Sequence, residues 1–97
     1  MRTASFHPEA EAEMFAAARY YEDRAENLGV DFLAEVEKAV HRIAEAPETW
    51  PIFKGRIRRY LLYRFPFGIL FTVHADSVVI IAVMHLRRRP NYWKDRL

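Results

Sequence analysis

Two short apolar runs near the end of the chain constrain its fold more than any other feature. They cover residues 68–73 and 78–86, and the turn-like Ala75-Asp76-Ser77 lies between them. Such a pattern predicts two neighbouring antiparallel strands. Neither run approaches the roughly 20 residues that a membrane helix needs. The second run is apolar on both faces, which favours an interior place in the sheet.

The N-terminal half has the apolar period of two amphipathic helices. Pro8 is placed to open the first helix, Gly29 is predicted to end it, Asp31 to cap the second, and Pro47 to stop it. The short connection predicts an antiparallel hairpin that lies on the sheet. The predicted apolar faces are Met14, Ala18, Tyr21, Ala25 and Leu28, then Phe32, Leu33, Val36, Val40 and Ile43. The predicted solvent face of the first helix carries Glu13, Arg19, Glu22, Asp23 and Glu26.

The remaining segments complete one α+β domain over residues 1–97. Residues 2–6 alternate as an edge or flanking strand does, residues 48–55 are predicted as a connector, and residues 57–62 as the next strand. In the last strand, regular alternation places His85 in phase with Val79, Ile81 and Val83. Ile81 and Val83 are therefore predicted to face the core under the helices, together with Val36 and Ile43.

Charge is divided unevenly along the chain. Residues 1–50 carry 5 Lys+Arg against 11 Asp+Glu, whereas residues 51–97 carry 10 against 2, and eight of those ten cations are arginines. Arginine presents a planar fork of donors that suits phosphate and carboxylate groups. The basic half therefore suggests a polyanionic partner, and the alternative is a polar sheet balanced by acidic helices.

Several classes of chemistry find no support in the sequence. The three glycines form no phosphate-binding loop, and neither serine lies in a nucleophile-elbow motif. The four histidines lack metal-site spacing, so neither metal nor cofactor is expected. The absence of cysteine excludes disulfides and fits a reducing, cytoplasmic setting. The N-terminus lacks the apolar core of a signal peptide, and no membrane segment is expected.

The residues that remain as candidates are Arg, His and Tyr at predicted strand ends. His85 is either a half-buried histidine satisfied by a backbone carbonyl or a group that moves a proton near neutral pH. Tyr92 and Trp93 either pack the end of the chain onto the sheet or stack on a base. Alternation places Arg87 and Arg89 on one side of an extended chain, with the intervening arginine opposite.

Five segments together resemble the RelE/ParE superfamily of type II toxin–antitoxin toxins. They are FHPEAEAEM, ARYYE, FLAEVEKAVHRIAEAPETWP, RRYLLYRFPFGILF and VMHLRRRPNYW, and they extend from about Phe6 to Arg96. The resemblance implies a helical hairpin on a small, strongly twisted antiparallel sheet. It also implies a cognate antitoxin that wraps and neutralises the toxin.

The resemblance implies two alternative targets. ParE-like members inhibit DNA gyrase, and the ARYYE segment and long helices look more ParE-like. RelE-like members cleave mRNA on the ribosome, and the residues matching their basic pattern are Arg59, Arg64, His85, Arg88 and Tyr92. The glutamate base of some relatives has no counterpart here. A third alternative is a non-toxic binding module that retains only the fold. For a binding role, the residues expected to contact a partner are Arg58, Arg87, Arg89 and Trp93.

Overall fold

The computed structural model describes all residues 1–97 and places the helical hairpin on one face of a five-stranded sheet. The predicted apolar hairpin forms two interior strands of that sheet. The elements are β1 (Thr3–Phe6), α1 (Pro8–Arg24), α2 (Leu28–Glu45), β2 (Ile52–Lys54), β3 (Ile57–Leu61), β4 (Phe67–Val73) and β5 (Ser77–His85), with single 3₁₀ turns at Pro47–Thr49 and Lys94–Arg96. No helix is long and apolar enough to cross a membrane.

The strand order is β1-β5-β4-β3-β2, so the apolar β5 is an interior strand as predicted. The sheet is mixed rather than wholly antiparallel, because β1 runs parallel to β5. A parallel pair needs a long crossover, which here consists of both helices and the other strands. The segment predicted as a connector also contains β2, which pairs with β3 across an irregular register.

A β-bulge in β5 changes which face its side chains occupy. Leu70 pairs with Ala82 and Phe71 with Ile80, so Ile81 is the extra residue. Upstream of the bulge, Val79 shares the face away from the helices with Ile81. Downstream, Val83 belongs to the core under the helices, and His85 packs on Phe67 in that same core.

The bulge therefore corrects the predicted core. Val36, Ile43 and Val83 lie in the core under the helices, as predicted. The placement of Ile81 there is wrong, because the extra residue interrupts the alternation on which the prediction depended. The centre of the helix-side core is an aromatic cluster in which ring centroids are 4.8–6.2 Å apart, made of Tyr21, Phe32, Phe65 and Phe67.

The connection between the helices differs from the prediction. The residue with left-handed backbone is Asn27, at φ 68°, and Gly29 lies in the first turn of α2. The Glu22 carboxylate accepts hydrogen bonds from the N–H groups of both residues, each at 2.9 Å, and takes the capping role predicted for Asp31. Gly29 is needed for close helix contact, because a Cβ there would lie 2.3 Å from the Ala18 carbonyl oxygen.

The last residues, 91–97, form a tail that covers the sheet face opposite the helices. Trp93 is 3% exposed and packs in a second cluster with Ile57, Leu70, Ile81 and Met84. Tyr92 packs against the same cluster. The alternative in which Tyr92 and Trp93 hold the tail on the sheet is therefore the one observed, and the expectation that Trp93 contacts a partner is not supported, because its ring is buried.

Candidate functional site

An ion pair completes the edge of β5 that β1 leaves open. β1 pairs with β5 only as far as Ile80. Beyond that point, Glu13 accepts a hydrogen bond from the Val83 N–H at 3.0 Å, and Arg96 donates to the Ile81 carbonyl at 3.1 Å. The two side chains bind each other through two contacts of 2.9 and 3.0 Å. The placement of Glu13 on the solvent face was wrong, because the tail brings a cation over it.

The Glu13–Arg96 pair holds the tail beside the run of three arginines at residues 87–89. The guanidinium carbon of Arg88 lies 3.9 Å from the centroid of the Tyr92 ring, and that of Arg96 lies 5.1 Å from it. Burial first, and then the neighbouring Glu13 carboxylate, raise the pKa of Tyr92 above its ordinary value of 10.0. Tyr92 therefore stays a neutral phenol near neutral pH, and its ring serves as a packing surface for two cations.

Alkaline unfolding should report on Tyr92. Because its pKa is raised on folding, its contribution to stability is complete below pH 10 and is lost as pH rises through the folded-state value. We expect Tyr92→Phe to make the unfolding free energy fall less steeply above pH 10 in urea titrations. Tyr63→Phe, at a 95% exposed side chain, is the control. Equal slopes for Tyr92→Phe and wild type would contradict the assignment.

Two candidate arginines of β3 have local partners. The guanidinium carbon of Arg59 lies 4.5 Å from the centroid of the Phe53 ring, on the face opposite the helices. Arg58 donates to the carbonyl oxygens of Trp50 at 2.7 Å and Glu48 at 3.4 Å. Arg58 thus ties the loop before β2 to the sheet, and its expected role as a partner contact is not supported by this geometry.

Arg64 and His85 lie where the β3–β4 turn and the end of β5 meet. The Arg64 guanidinium is 3.6 Å from the Asp31 carboxylate. The His85 ring packs edge-on against Phe67, with centroids 5.1 Å apart, and its Nδ1 accepts the backbone N–H of Arg87 at 3.0 Å. His85 is half-buried, as one of its two predicted roles requires, but its backbone partner is an N–H rather than the predicted carbonyl.

The structure brings some candidates together and separates others. The Leu86 N–H donates to the Pro66 carbonyl at 2.9 Å, so Arg64 and the 87–89 arginine run lie at the same end of the sheet. Arg59, Arg64 and Arg88 nevertheless contact three different partners, namely Phe53, Asp31 and Tyr92. No group of three or more His, Asp and Glu side chains is arranged to hold a metal ion.

Sequence reasoning missed two parts of this region. The Glu13–Arg96 pair joins residues 83 positions apart, and no local spacing signals such a contact. The second is Tyr63, which is 95% exposed. The RFPF bend that follows it is only a weak signal, because Leu62 and Phe65 beside Tyr63 are buried.

Comparisons with known proteins identify the family. The family model described as the ParE toxin of the type II toxin–antitoxin system parDE matches residues 4–90. A solved chain of the chromosomal ParDE toxin–antitoxin system from P. aeruginosa has the same fold, with a TM-score of 0.77 and 17% identity over 88% of this chain and 96% of that one. No curated protein sequence matches. The chain therefore belongs to the ParE toxin family of type II toxin–antitoxin systems.

Proposed function

We propose that this ParE family toxin arrests growth by binding DNA gyrase, and that a cognate antitoxin neutralises it. The family match over residues 4–90 supports the toxin role and the antitoxin partner. The ParE-like character of the sequence supports gyrase over the ribosome. The observation that carries the choice of a binding mechanism is the separate engagement of Arg59, Arg64 and Arg88.

A nuclease needs a group that moves a proton and a set of cations aimed at one phosphate. Tyr92 fits the first role poorly, because its phenol oxygen is buried and its pKa is raised. His85 uses Nδ1 to accept the backbone N–H of Arg87 and packs its ring on Phe67. These contacts favour a protein that acts by binding over one that cleaves RNA.

Purified components decide between the two targets. We expect the wild-type toxin to inhibit gyrase supercoiling and to leave mRNA intact on programmed ribosomes. Arg88→Lys should retain part of the inhibition, because charge is kept while the planar fork is lost. His85→Ala should have little effect on supercoiling.

The opposite pattern would support the ribosome-dependent endonuclease. In that case the wild type cleaves the message, and Arg88→Lys and His85→Ala lose most cleavage while ribosome binding survives. If the protein neither inhibits gyrase nor cleaves mRNA, and if cells grow normally at confirmed expression, the remaining alternative is the non-toxic binding module. Growth restored by co-expression of the neighbouring antitoxin gene would confirm the toxin–antitoxin pairing.

A further inference from the structure

The β3–β4 turn presents an exposed aromatic side chain on a fixed backbone. Tyr63 is 95% exposed, although its N–H donates to the Glu35 carboxylate on α2. The Arg64 N–H donates to the same carboxylate at 3.1 Å, and the Leu62 N–H donates to the Phe67 carbonyl at 2.9 Å. A tyrosine on so constrained a turn loses little backbone entropy when it binds a partner.

Exposed leucines lie at the same end of the sheet as this tyrosine. Leu61 ends β3 and is 52% exposed, and Leu86 directly follows β5 and is 47% exposed. The Leu86 hydrogen bond to Pro66 joins the β5 end to the β3–β4 turn. Large exposed apolar side chains at one end of a sheet, with cations nearby, indicate a candidate binding surface.

The charges around these side chains are mainly positive. Arg87 and Arg89 are exposed, and neither has a salt bridge in this structure. The nearby acids are already engaged, since Asp31 pairs with Arg64 and Glu35 accepts the turn N–H groups. Arg88 is less available, because it stacks on the tail. The end of the sheet therefore presents arginine side chains without salt bridges, together with exposed apolar side chains.

We propose that this end of the sheet is the surface through which the toxin binds its protein target. We call it the sheet-end surface and define it by Leu61, Tyr63, Arg64, Leu86, Arg87 and Arg89. The proposal rests on the proposed function and adds the contact surface and its chemistry. The complementary partner surface presents carboxylates around an apolar recess that receives Tyr63.

The composition of the sheet-end surface favours a protein over a nucleic acid. Tyrosine and arginine are the residue types enriched where truncation most weakens protein–protein binding. Leucines, in contrast, offer nothing to a phosphate backbone, and nucleic-acid interfaces are more polar. A base stacked on Tyr63 is the alternative that the experiment must detect.

The test compares Tyr63→Ala with Tyr20→Ala. Tyr20 is 54% exposed on α1 and lies outside the sheet-end surface. Tyr20→Ala therefore makes the same chemical change at an exposed position that should not contact the partner. Tyr63→Ala should weaken binding to purified gyrase, and inhibition of supercoiling, by at least about tenfold, the size expected for a central interface residue. Tyr20→Ala should stay within about twofold, and both variants should keep the wild-type melting temperature.

A second variant tests the charge and apolar complementarity. Leu86→Glu places a carboxylate among the arginines and should weaken gyrase binding as strongly as Tyr63→Ala. Wild-type inhibition by folded Tyr63→Ala and Leu86→Glu proteins would overturn the sheet-end surface. If Tyr63→Ala loses RNA binding and keeps gyrase binding, the proposal that the sheet-end surface binds a protein is wrong.

Failure of the gyrase target is separable from failure of the sheet-end surface. If wild-type toxin arrests growth but leaves gyrase active, the proposed target is wrong. Growth arrest by the two variants then tests the surface without reference to gyrase. Arrest lost in Tyr63→Ala and kept in Tyr20→Ala supports the surface, and arrest kept in both overturns it.

Discussion

Arg96→Ala is expected to lower the free energy of unfolding by about 3–5 kcal/mol, the range for removing one partner of a buried ion pair. The Arg96 side chain is 8% exposed and that of Glu13 is 16% exposed. Without Arg96 the carboxylate keeps its bond to the Val83 N–H but loses its counterion. The Ile81 carbonyl also loses a donor on a strand edge that β1 does not reach.

Chemical denaturation of Arg96→Ala beside Arg87→Ala measures this effect. Arg87 lies in the exposed arginine run and makes no salt bridge, so its truncation should change stability by less than about 0.5 kcal/mol. Glu13→Gln with Arg96→Met should recover part of the loss, because neither side chain then leaves a buried charge. Equal stability of the two arginine variants would show that the Glu13–Arg96 pair does not stabilise the fold.

Phe32→Ala should be comparably severe, lowering stability by about 3–5 kcal/mol. Phe32 is 0% exposed, and its ring centroid lies 5.0–5.5 Å from those of Tyr21, Phe65 and Phe67. Removing the ring leaves a cavity between α1, α2 and β4 that rigid neighbours fill only in part. Set against a total of roughly 5–15 kcal/mol for a small domain, the variant is expected to be only marginally folded.

Phe15→Ala is the matched control for this substitution. It makes the same change on α1, at a side chain that is 50% exposed. Thermal melts should show a large fall for Phe32→Ala and a small one for Phe15→Ala. A similar fall for both would mean that the aromatic cluster is not the centre of the core.

Much of the fold could be predicted because its signals are local. The helical periods identified both helices, and the two apolar runs identified β4 and β5. β2 has only three residues and pairs irregularly with β3, so its strand character depends on tertiary contacts. The parallel pairing of β1 also left no signal, since strand direction is set by how the whole chain crosses the sheet.

The candidate site was harder to predict than the fold. The arginines near the ends of β3 and β5 could be named from charge, but their partners could not. Arg59 over Phe53 and Arg88 over Tyr92 are contacts of the folded sheet and its tail. The positions of Val79 and Ile81 depended on the bulge, because one extra residue placed them on the face opposite to the one predicted, whereas His85 stayed in phase with Val83.

The bulge also determines which lengths of β5 the fold can tolerate. Ile80 already faces the helices and Ala82 the tail, so removing Ile81 alone would restore unbroken alternation. A deletion farther from the bulge would exchange helix-side and tail-side positions for the residues between the deletion and the bulge. Natural or engineered variants that shorten β5 by one residue should therefore be found at position 81 or directly beside it, and deletion of Ile81 itself would also remove the carbonyl that Arg96 binds.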